Sequence, residues 1–88
     1  MKLIFSSDAW AQYQFWRASD QTTFAKLNSL IADAMRDPFR GLGKPEPLKG
    51  DLSGWWSRRL TGEHRLVYRI TGPPPDQSIE IAQCQFHY

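Results

Sequence analysis

The feature that most constrains the fold is a pair of alternating runs, Trp55–Thr61 and Arg65–Thr71, separated by a short loop that contains Gly62. Side chains alternate in direction along a β-strand, and short glycine-containing loops join antiparallel strands. The two runs therefore predict a β-hairpin. The apolar residues of both runs carry even numbers, so one face should be buried; they are Trp56, Leu60, Leu66, Tyr68 and Ile70.

The same alternation places the hairpin arginines on the opposite face, because Arg59, Arg65 and Arg69 carry odd numbers. Paired residues point the same way, so both apolar sets share a face only if the loop has an odd length, such as Thr61–Glu63. This register sets Arg59 directly opposite Arg65. Two opposed arginines repel each other unless an anion lies between them, so the pair predicts an anion-binding site.

The segment before the hairpin predicts a strand at Lys2–Phe5 followed by two helices. Ser6 or Ser7 caps the first helix, Asp20 caps the second, and Asp37-Pro38 ends it. Phe15 lies off the apolar stripe of the first helix and is either exposed surface or a contact with another chain. Helical spacing assigns to the core Ala9, Trp10, Tyr13 and Trp16 of the first helix, and Phe24, Leu27, Ile31, Ala34 and Met35 of the second.

The remaining segments complete a small sheet. Glycines and prolines interrupt regular structure over Phe39–Gly54, and a Pro-rich turn, Gly72–Gln77, leads to a last strand over Ser78–Phe86. The apolar positions of that strand change parity between Ile81 and Ala82, which indicates either a β-bulge there or a strand that is buried on both faces at its start. We expect one α+β domain, residues 1–88, with the N-terminal strand and two-helix hairpin packed on one face of a small antiparallel sheet.

Composition narrows the functional class. The chain has 88 residues, and segment 40–70 holds seven basic and three acidic residues, which is either the footprint of a polyanionic partner or a solvated surface. Cys84 is the one cysteine, which suits a reducing compartment. The apolar start MKLIFSS is too short for a signal peptide, and no stretch reaches membrane-spanning length. We therefore expect a cytoplasmic protein, and its small size favours self-association.

The basic segment also holds the side chains needed to cleave RNA through its own 2′-hydroxyl. That reaction needs a base, cations around the phosphate and an acid for the leaving oxygen. Glu46 lies between Pro45 and Pro47, which restrict its backbone, and His87 supplies an imidazole, the side chain most often used for proton transfer. The alternatives are an exposed turn glutamate and a histidine at a frayed end.

Further candidates surround these two. Arg59 and Arg65 are suited to forked contacts with phosphate, the alternative being exposed strand arginines. Lys44 and Lys49 are candidates for backbone contacts, or belong to a solvated face. Bases stack on aromatic rings, although strand aromatics more often pack; the candidates are Trp55, Phe86 and Tyr88. His64 lies beside apolar residues and is expected to be structural. The two histidines and one cysteine lack zinc-site spacing, so we expect no metal and no other cofactor.

The motifs GKPEPLK, SGWWSRRL, EHRLVY and QFHY together closely resemble the YoeB (Txe) family of bacterial toxins, in the RelE/ParE superfamily. The resemblance covers essentially the whole chain and implies a microbial ribonuclease-like fold, a homodimer and cleavage of mRNA in the ribosomal A site. It implies general-base and general-acid roles for Glu46 and His87, and phosphate stabilisation by Arg65. Supporting contacts to phosphate and base fall to Lys49, Arg59 and Tyr88.

The resemblance also implies partners. They are the ribosome, its mRNA and a YefM (Axe)-type antitoxin, with operator DNA bound through the antitoxin complex. The Pro-rich turn Gly72–Gln77 departs from the usual family pattern, away from the matched motifs. Two other functions stay open: a ParE-like inhibitor of DNA gyrase, and an RNA-binding module without catalysis. Retention of Glu46, Arg65 and His87 together argues against the first.

Overall fold

Over residues 1–87, five strands and two α-helices make up the fold. A computed structural model of the chain describes residues 1–87; Tyr88, which the sequence assigns to substrate binding, lies outside the described residues. In chain order the elements are β1 (Lys2–Phe5), α1 (Ser7–Ser19), α2 (Gln21–Arg36), β2 (Glu46–Pro47), a short 3₁₀ turn (Gly50–Leu52), β3 (Trp56–Arg59), β4 (Arg65–Thr71) and β5 (Ser78–Gln83). No helix among residues 1–87 is long and apolar enough to cross a membrane.

The strands form one sheet in the order β1-β5-β4-β3-β2. The pairs from β3 to β5 are antiparallel, as predicted, and so is the unpredicted pair of β2 with β3; β1 runs parallel to β5, so the sheet is mixed. A parallel neighbour needs a crossover, which the two helices supply. Although glycine and proline dominate the segment before β3, its Glu46–Pro47 dipeptide pairs with β3 as a two-residue strand.

Both predicted helix caps are confirmed. The Ser6 hydroxyl oxygen accepts a hydrogen bond from the Ala9 amide at 3.0 Å, and the Asp20 carboxylate accepts one from the Thr23 amide at 3.0 Å. Each bond satisfies an amide that the first helical turn leaves without a partner. The bond from the Thr23 amide also lowers the pKa of Asp20. The second helix ends at Arg36, and Asp37 is its C-cap, where the sequence predicted.

The core lies between the two helices and the even-numbered face of the hairpin, as the alternation predicted. Leu60, Leu66 and Tyr68 are fully buried, and Trp56 and Ile70 pack against them. The buried residues that meet these strands are Ala9, Trp16, Leu27, Leu30, Ile31, Ala34, Ile79, Ile81 and Cys84. Leu30 was not in the predicted stripe. Burial raises the pKa of the Cys84 thiol to about 12, so this cysteine stays protonated near neutral pH.

Three sequence expectations are wrong in detail. Trp10, assigned to the core, is 49% exposed because it stacks on the outer side of Tyr13 with ring centroids 5.5 Å apart. The last strand ends at Gln83 instead of Phe86, because the chain turns away from the sheet there. The first hairpin strand is also shorter than predicted, at four residues.

Of the two explanations for the parity change in the last strand, the structure shows the β-bulge. Val67 pairs with Gln83 and Tyr68 pairs with Ile81, which leaves Ala82 as an extra residue on β5. One extra residue reverses the direction of all later side chains. Gln83 consequently lies on the face of Val67, and Cys84 returns to the core.

Candidate active site

One row of paired residues crosses the sheet on the face opposite the helices. Glu46 pairs with Ser57, Ser57 with Val67, and Val67 with Gln83. Directly paired residues in antiparallel strands point to the same side, so these side chains share the open face. The register therefore places Glu46, at the edge strand, in line with the start of the C-terminal tail.

A second row, two residues along the strands, carries the arginine pair. Arg59 is directly opposite Arg65, as the odd loop length predicted. Arg59 is exposed and Arg65 is half-buried. Because both guanidinium groups lie on the open face beside Glu46, this end of the sheet combines a carboxylate with two cations. An anionic phosphate between the arginines would remove their mutual repulsion.

The hairpin loop holds one end of the Arg65 guanidinium. Its Nη1 atom donates to the carbonyl oxygens of Thr61 at 2.8 Å, His64 at 3.0 Å and Gly62 at 3.4 Å. These bonds fix the side chain without neutralising its charge, since every acceptor is an uncharged carbonyl. A fixed and still positive guanidinium is well suited to stabilise charge that develops on a phosphate.

Glu46 is held in place by main-chain bonds on both sides. The Arg59 amide donates to the Gly43 carbonyl at 2.7 Å, and the Leu48 amide donates to the Trp55 carbonyl at 2.8 Å. The prolines that flank Glu46 add fixed φ angles. The carboxylate itself is exposed, as an acceptor for a substrate proton must be.

Arg58 lies on the helix side of β3, opposite to the face of Arg59, and is completely buried. From there it binds the loop that leads to Glu46. Its Nη1 donates to the Asp33 carboxylate at 2.6 Å, and its Nε donates to the Tyr68 hydroxyl at 3.0 Å. Its remaining bonds go to the carbonyls of Asp37, Arg40 and Leu42. Arg58 thus ties the loop that leads to Glu46 onto the core, and it does not belong to the basic surface.

Asp33 is the carboxylate partner of this cluster. Bonds from Arg36, the Leu42 amide and Arg58 hold its pKa well below the ordinary value. Tyr68 completes the cluster by donating to the Pro38 carbonyl at 2.6 Å, and burial raises the pKa of its phenol. An ionised Asp33 therefore faces a permanently charged Arg58, a pairing that a buried guanidinium requires.

The C-terminal tail, Cys84–His87, is anchored beside Arg65. The Cys84 amide donates to Gln12 Oε1 at 2.8 Å, and Trp16 Nε1 donates to the Cys84 carbonyl at 2.8 Å. The Arg65 amide donates to the Phe86 carbonyl at 3.1 Å. His87 is exposed and follows directly on a residue bonded to the Arg65 backbone.

The structure thus brings three of the sequence candidates together on the open face: Glu46, Arg59 and Arg65. The tail that carries His87 lies beside Arg65. Its backbone is three interstrand spacings, or about 14 Å, from the backbone of the strand that carries Glu46. Lys44 precedes Glu46 on the side of Arg59, with a left-handed φ of 50°. Lys49 lies beyond the other end of β2, toward Trp55, away from the arginine pair.

Trp55 is engaged on the open face. Its ring lies 4.5 Å from the Arg69 guanidinium carbon, and Arg69 forms an ion pair with Glu80 at 2.9 Å. A cation over an indole ring is a stabilising contact in itself. Trp55 therefore has a packing role here, whereas the Phe86 ring is exposed.

Sequence reasoning assigned no role to several residues that position the site. Gln83 Nε2 donates to the Gln85 carbonyl at 3.2 Å, and Gln12 holds the tail from α1. The even number of Arg58 was a signal of burial, since strand alternation puts it on the apolar face. Gln12 gave no such signal, because its partner lies far away in sequence. Among residues 1–87, no group of three or more His, Cys, Asp or Glu side chains is arranged to hold a metal.

The comparison with family models matches residues 5–88 to the YoeB-like toxins of bacterial type II toxin–antitoxin systems. The chain is 53% identical to Toxin YoeB of Escherichia coli (strain K12), over the full length of both chains.

Solved structures show the same likeness. A YoeB/ParE toxin from Agrobacterium tumefaciens superposes with a TM-score of 0.95 at 53% identity, over the full length of both chains. A heterotetrameric YoeB-YefM toxin-antitoxin complex from Staphylococcus aureus gives a TM-score of 0.87 at 38% identity, covering 100% of this chain and 98% of the other. A YoeB dimer from the same organism gives 0.88 at 38% identity with the same coverage.

Proposed function

The chain belongs to the YoeB-like toxin family of type II toxin–antitoxin systems, and on that premise we propose that it is an endoribonuclease that cleaves mRNA in the ribosomal A site. The observation that carries this proposal is the shared open face of Glu46, Arg59 and Arg65, with the tail of His87 beside Arg65. These are a base, two cations and an acid at one end of one sheet.

In the proposed reaction the Glu46 carboxylate removes the proton of the 2′-hydroxyl, and the 2′-oxygen attacks the adjacent phosphorus. Arg65, helped by Arg59, stabilises the negative charge that builds up on the phosphate oxygens. The imidazolium of His87 protonates the departing 5′-oxygen. The products are a 2′,3′-cyclic phosphate, which hydrolysis opens to a 3′-phosphate, and a 5′-hydroxyl end.

Flanking residues supply substrate contacts in this scheme. Lys44 lies next to the arginine pair and contacts the RNA backbone on that side. Lys49, at the other end of β2, contacts the backbone of a neighbouring nucleotide. Tyr88 follows His87 and stacks on or bonds a base of the codon. Because Lys44 and Lys49 lie at opposite ends of β2, the RNA runs along this edge strand.

The proposed regulator is a YefM-type antitoxin, and the proposed free state is a homodimer. The support is that relatives from Staphylococcus aureus have been solved as a YoeB-YefM complex and as a YoeB dimer. Operator DNA is bound through the antitoxin complex. A ribosome-directed activity places the free toxin in the cytoplasm.

Primer extension on a translated message tests the proposal. Cleavage within codons that appears only when ribosomes are present supports it, and His87→Ala should abolish that cleavage. Inhibition of DNA gyrase without RNA cleavage would instead identify a ParE-like poison. Binding of RNA with no cleavage under any condition would identify a non-catalytic module.

A further inference from the structure

We propose that His64 is a positioning residue that sets the direction of the C-terminal tail, and with it the placement of His87. It acts through one hydrogen bond, in which the Phe86 amide donates to His64 Nδ1 at 2.7 Å. The catalytic part of this inference rests on the proposed function, whereas the positioning of the tail can be measured without it.

The backbone at Phe86 is strained. Its φ is 68°, in the left-handed region that is unfavourable for a residue with a Cβ. The Phe86 side chain is 59% exposed, so burial of its ring offsets little of that cost. Such a conformation persists only where neighbours hold it, and held strain of this kind is concentrated at functional sites.

Three hydrogen bonds hold the Phe86 backbone. Its amide donates to His64 Nδ1, and its carbonyl accepts from the Arg65 amide at 3.1 Å and, more weakly, from Gln83 Nε2 at 3.4 Å. The second bond comes from the backbone and is available to any sequence that forms this hairpin. The first needs a side-chain acceptor, so the identity of residue 64 decides whether it forms.

The His64 ring is itself fixed. It meets Trp16 edge to face with centroids 4.9 Å apart, and Trp16 in turn binds the Cys84 carbonyl. The His64 carbonyl accepts from Leu60 at 3.0 Å and from Arg65 Nη1 at 3.0 Å. An amide can only donate, so Nδ1 must be unprotonated and a neutral ring carries its proton on Nε2. The His64 ring therefore lies between the hairpin and the tail and presents Nδ1 as a fixed hydrogen-bond acceptor.

A left-handed residue bends the chain sharply, so the path of His87 depends on the torsion at Phe86. Loss of the His64 bond would allow Phe86 to relax to negative φ and would point His87 elsewhere. His64 also belongs to the hairpin loop, and its carbonyl is one of those that hold Arg65 Nη1, so the residue that bonds the tail lies directly beside the phosphate-binding group. We expect loss of the His64 bond to lower the maximal rate of cleavage and to leave substrate binding largely unchanged.

Two substitutions separate the hydrogen bond from packing. His64→Phe keeps a ring against Trp16 but has no acceptor, while His64→Asn places Oδ1 near the position of Nδ1. On ribosome-bound message we expect His64→Phe to lower the maximal rate about 100-fold, the size of a misplaced catalytic group, while His64→Asn retains most of the rate. A merely structural role predicts the opposite order, because Asn loses more packing than Phe.

A modified substrate shows whether the loss acts through the acid. A message with sulfur in place of the bridging 5′-oxygen at the cut position has a leaving group that departs without protonation. His64→Phe should cleave it nearly as fast as the wild type does. Equal losses on both messages would overturn the link to His87.

Amide hydrogen exchange in the free protein provides a readout independent of activity. The Phe86 amide should be protected in the wild type and in His64→Asn, and should exchange faster in His64→Phe. If His64→Phe does not fold, His64→Leu, which also lacks an acceptor, takes its place. If the wild type cleaves neither message, the proposed function is wrong. The exchange rates of the Phe86 amide then still show whether His64 positions the tail. If the wild type and His64→Phe exchange and cleave alike, the positioning role is wrong.

Discussion

Arg58 and Arg59 are neighbours in β3, yet they lie on opposite faces of the sheet and have opposite environments. Arg58 is fully buried and donates to a carboxylate, a phenol and three carbonyls, whereas the Arg59 side chain is exposed opposite another arginine. The same side chain is thus part of the framework on one face and part of the candidate site on the other. Strand alternation alone produces this difference.

The two faces also differ in how well their charges are compensated. On the helix side, the Asp33 carboxylate offsets the charge of Arg58, and each nitrogen of that guanidinium donates a hydrogen bond to an acceptor in the protein. On the open side, Arg59 and Arg65 face each other, and the acceptors of Arg65 Nη1 are neutral carbonyls. Two opposed arginines destabilise the folded protein, and a bound anion would relieve their repulsion. Such a pair is typical of a binding surface. Substitutions on the two faces should therefore separate activity from stability.

The largest expected effect is on activity, from Glu46→Gln on the open face. Loss of the base should reduce the cleavage rate by about 10²–10⁴-fold, while the free energy of unfolding changes by less than about 0.5 kcal/mol. Single-turnover cleavage on ribosomes and urea unfolding measure the two quantities. RNA binding should be retained. A variant that cleaves at the wild-type rate would remove Glu46 from the site.

The next effect is on stability, from Arg58→Met on the helix side. Removing the guanidinium takes away one of the three donors to Asp33 and the Arg58 bonds to three carbonyls, at a cost of about 3–5 kcal/mol. Arg59→Met is the matched control and should change the unfolding free energy by less than about 0.5 kcal/mol. Urea denaturation compares the two directly. Similar losses in both variants would contradict the division between the faces.

A smaller loss of stability is expected from Gly41→Ala, in the loop that Arg58 binds. Gly41 has a φ of 115°, and a Cβ there would collide with the Asp33 carboxylate. We expect a cost of about 1–3 kcal/mol, seen as a lower midpoint of thermal unfolding. Gly50→Ala is the control, because no atom lies within 4 Å of the added Cβ and only its left-handed φ of 64° opposes the change. If Gly50→Ala costs more, the collision is not the cause.

The smallest effect concerns pH. Bonds in the folded state lower the pKa of Asp33 below its ordinary value of 3.8, so its contribution is complete above that value and is lost as the pH falls toward the folded pKa. Asp33→Asn should therefore be less stable than the wild type at neutral pH, and the difference should shrink as the pH falls below 3.8. Urea unfolding at several pH values measures it. A constant difference would show that the charge of Asp33 contributes nothing.

The sequence by itself determined the features that depend on local rules. Alternation with an odd loop length predicted the pairing of Arg59 with Arg65, and the parity change offered the extra residue at Ala82 as one of two explanations. Ser6 and Asp20 were identifiable as caps because a cap bonds an amide three residues away. The roles of Glu46 and His87 remain predictions, taken from motifs and resemblance.

Only the tertiary structure decided the features that depend on distant contacts. The parallel pairing of β1 with β5, the bonds of Arg58 to a loop that precedes it, and the anchoring of the tail by α1 all join segments far apart in the chain. The left-handed turn at Phe86 is of the same kind, since His64 holds it from the hairpin loop, which is distant in sequence. Periodicity reports which way a side chain points, but the partner that it meets is set by how the whole chain packs.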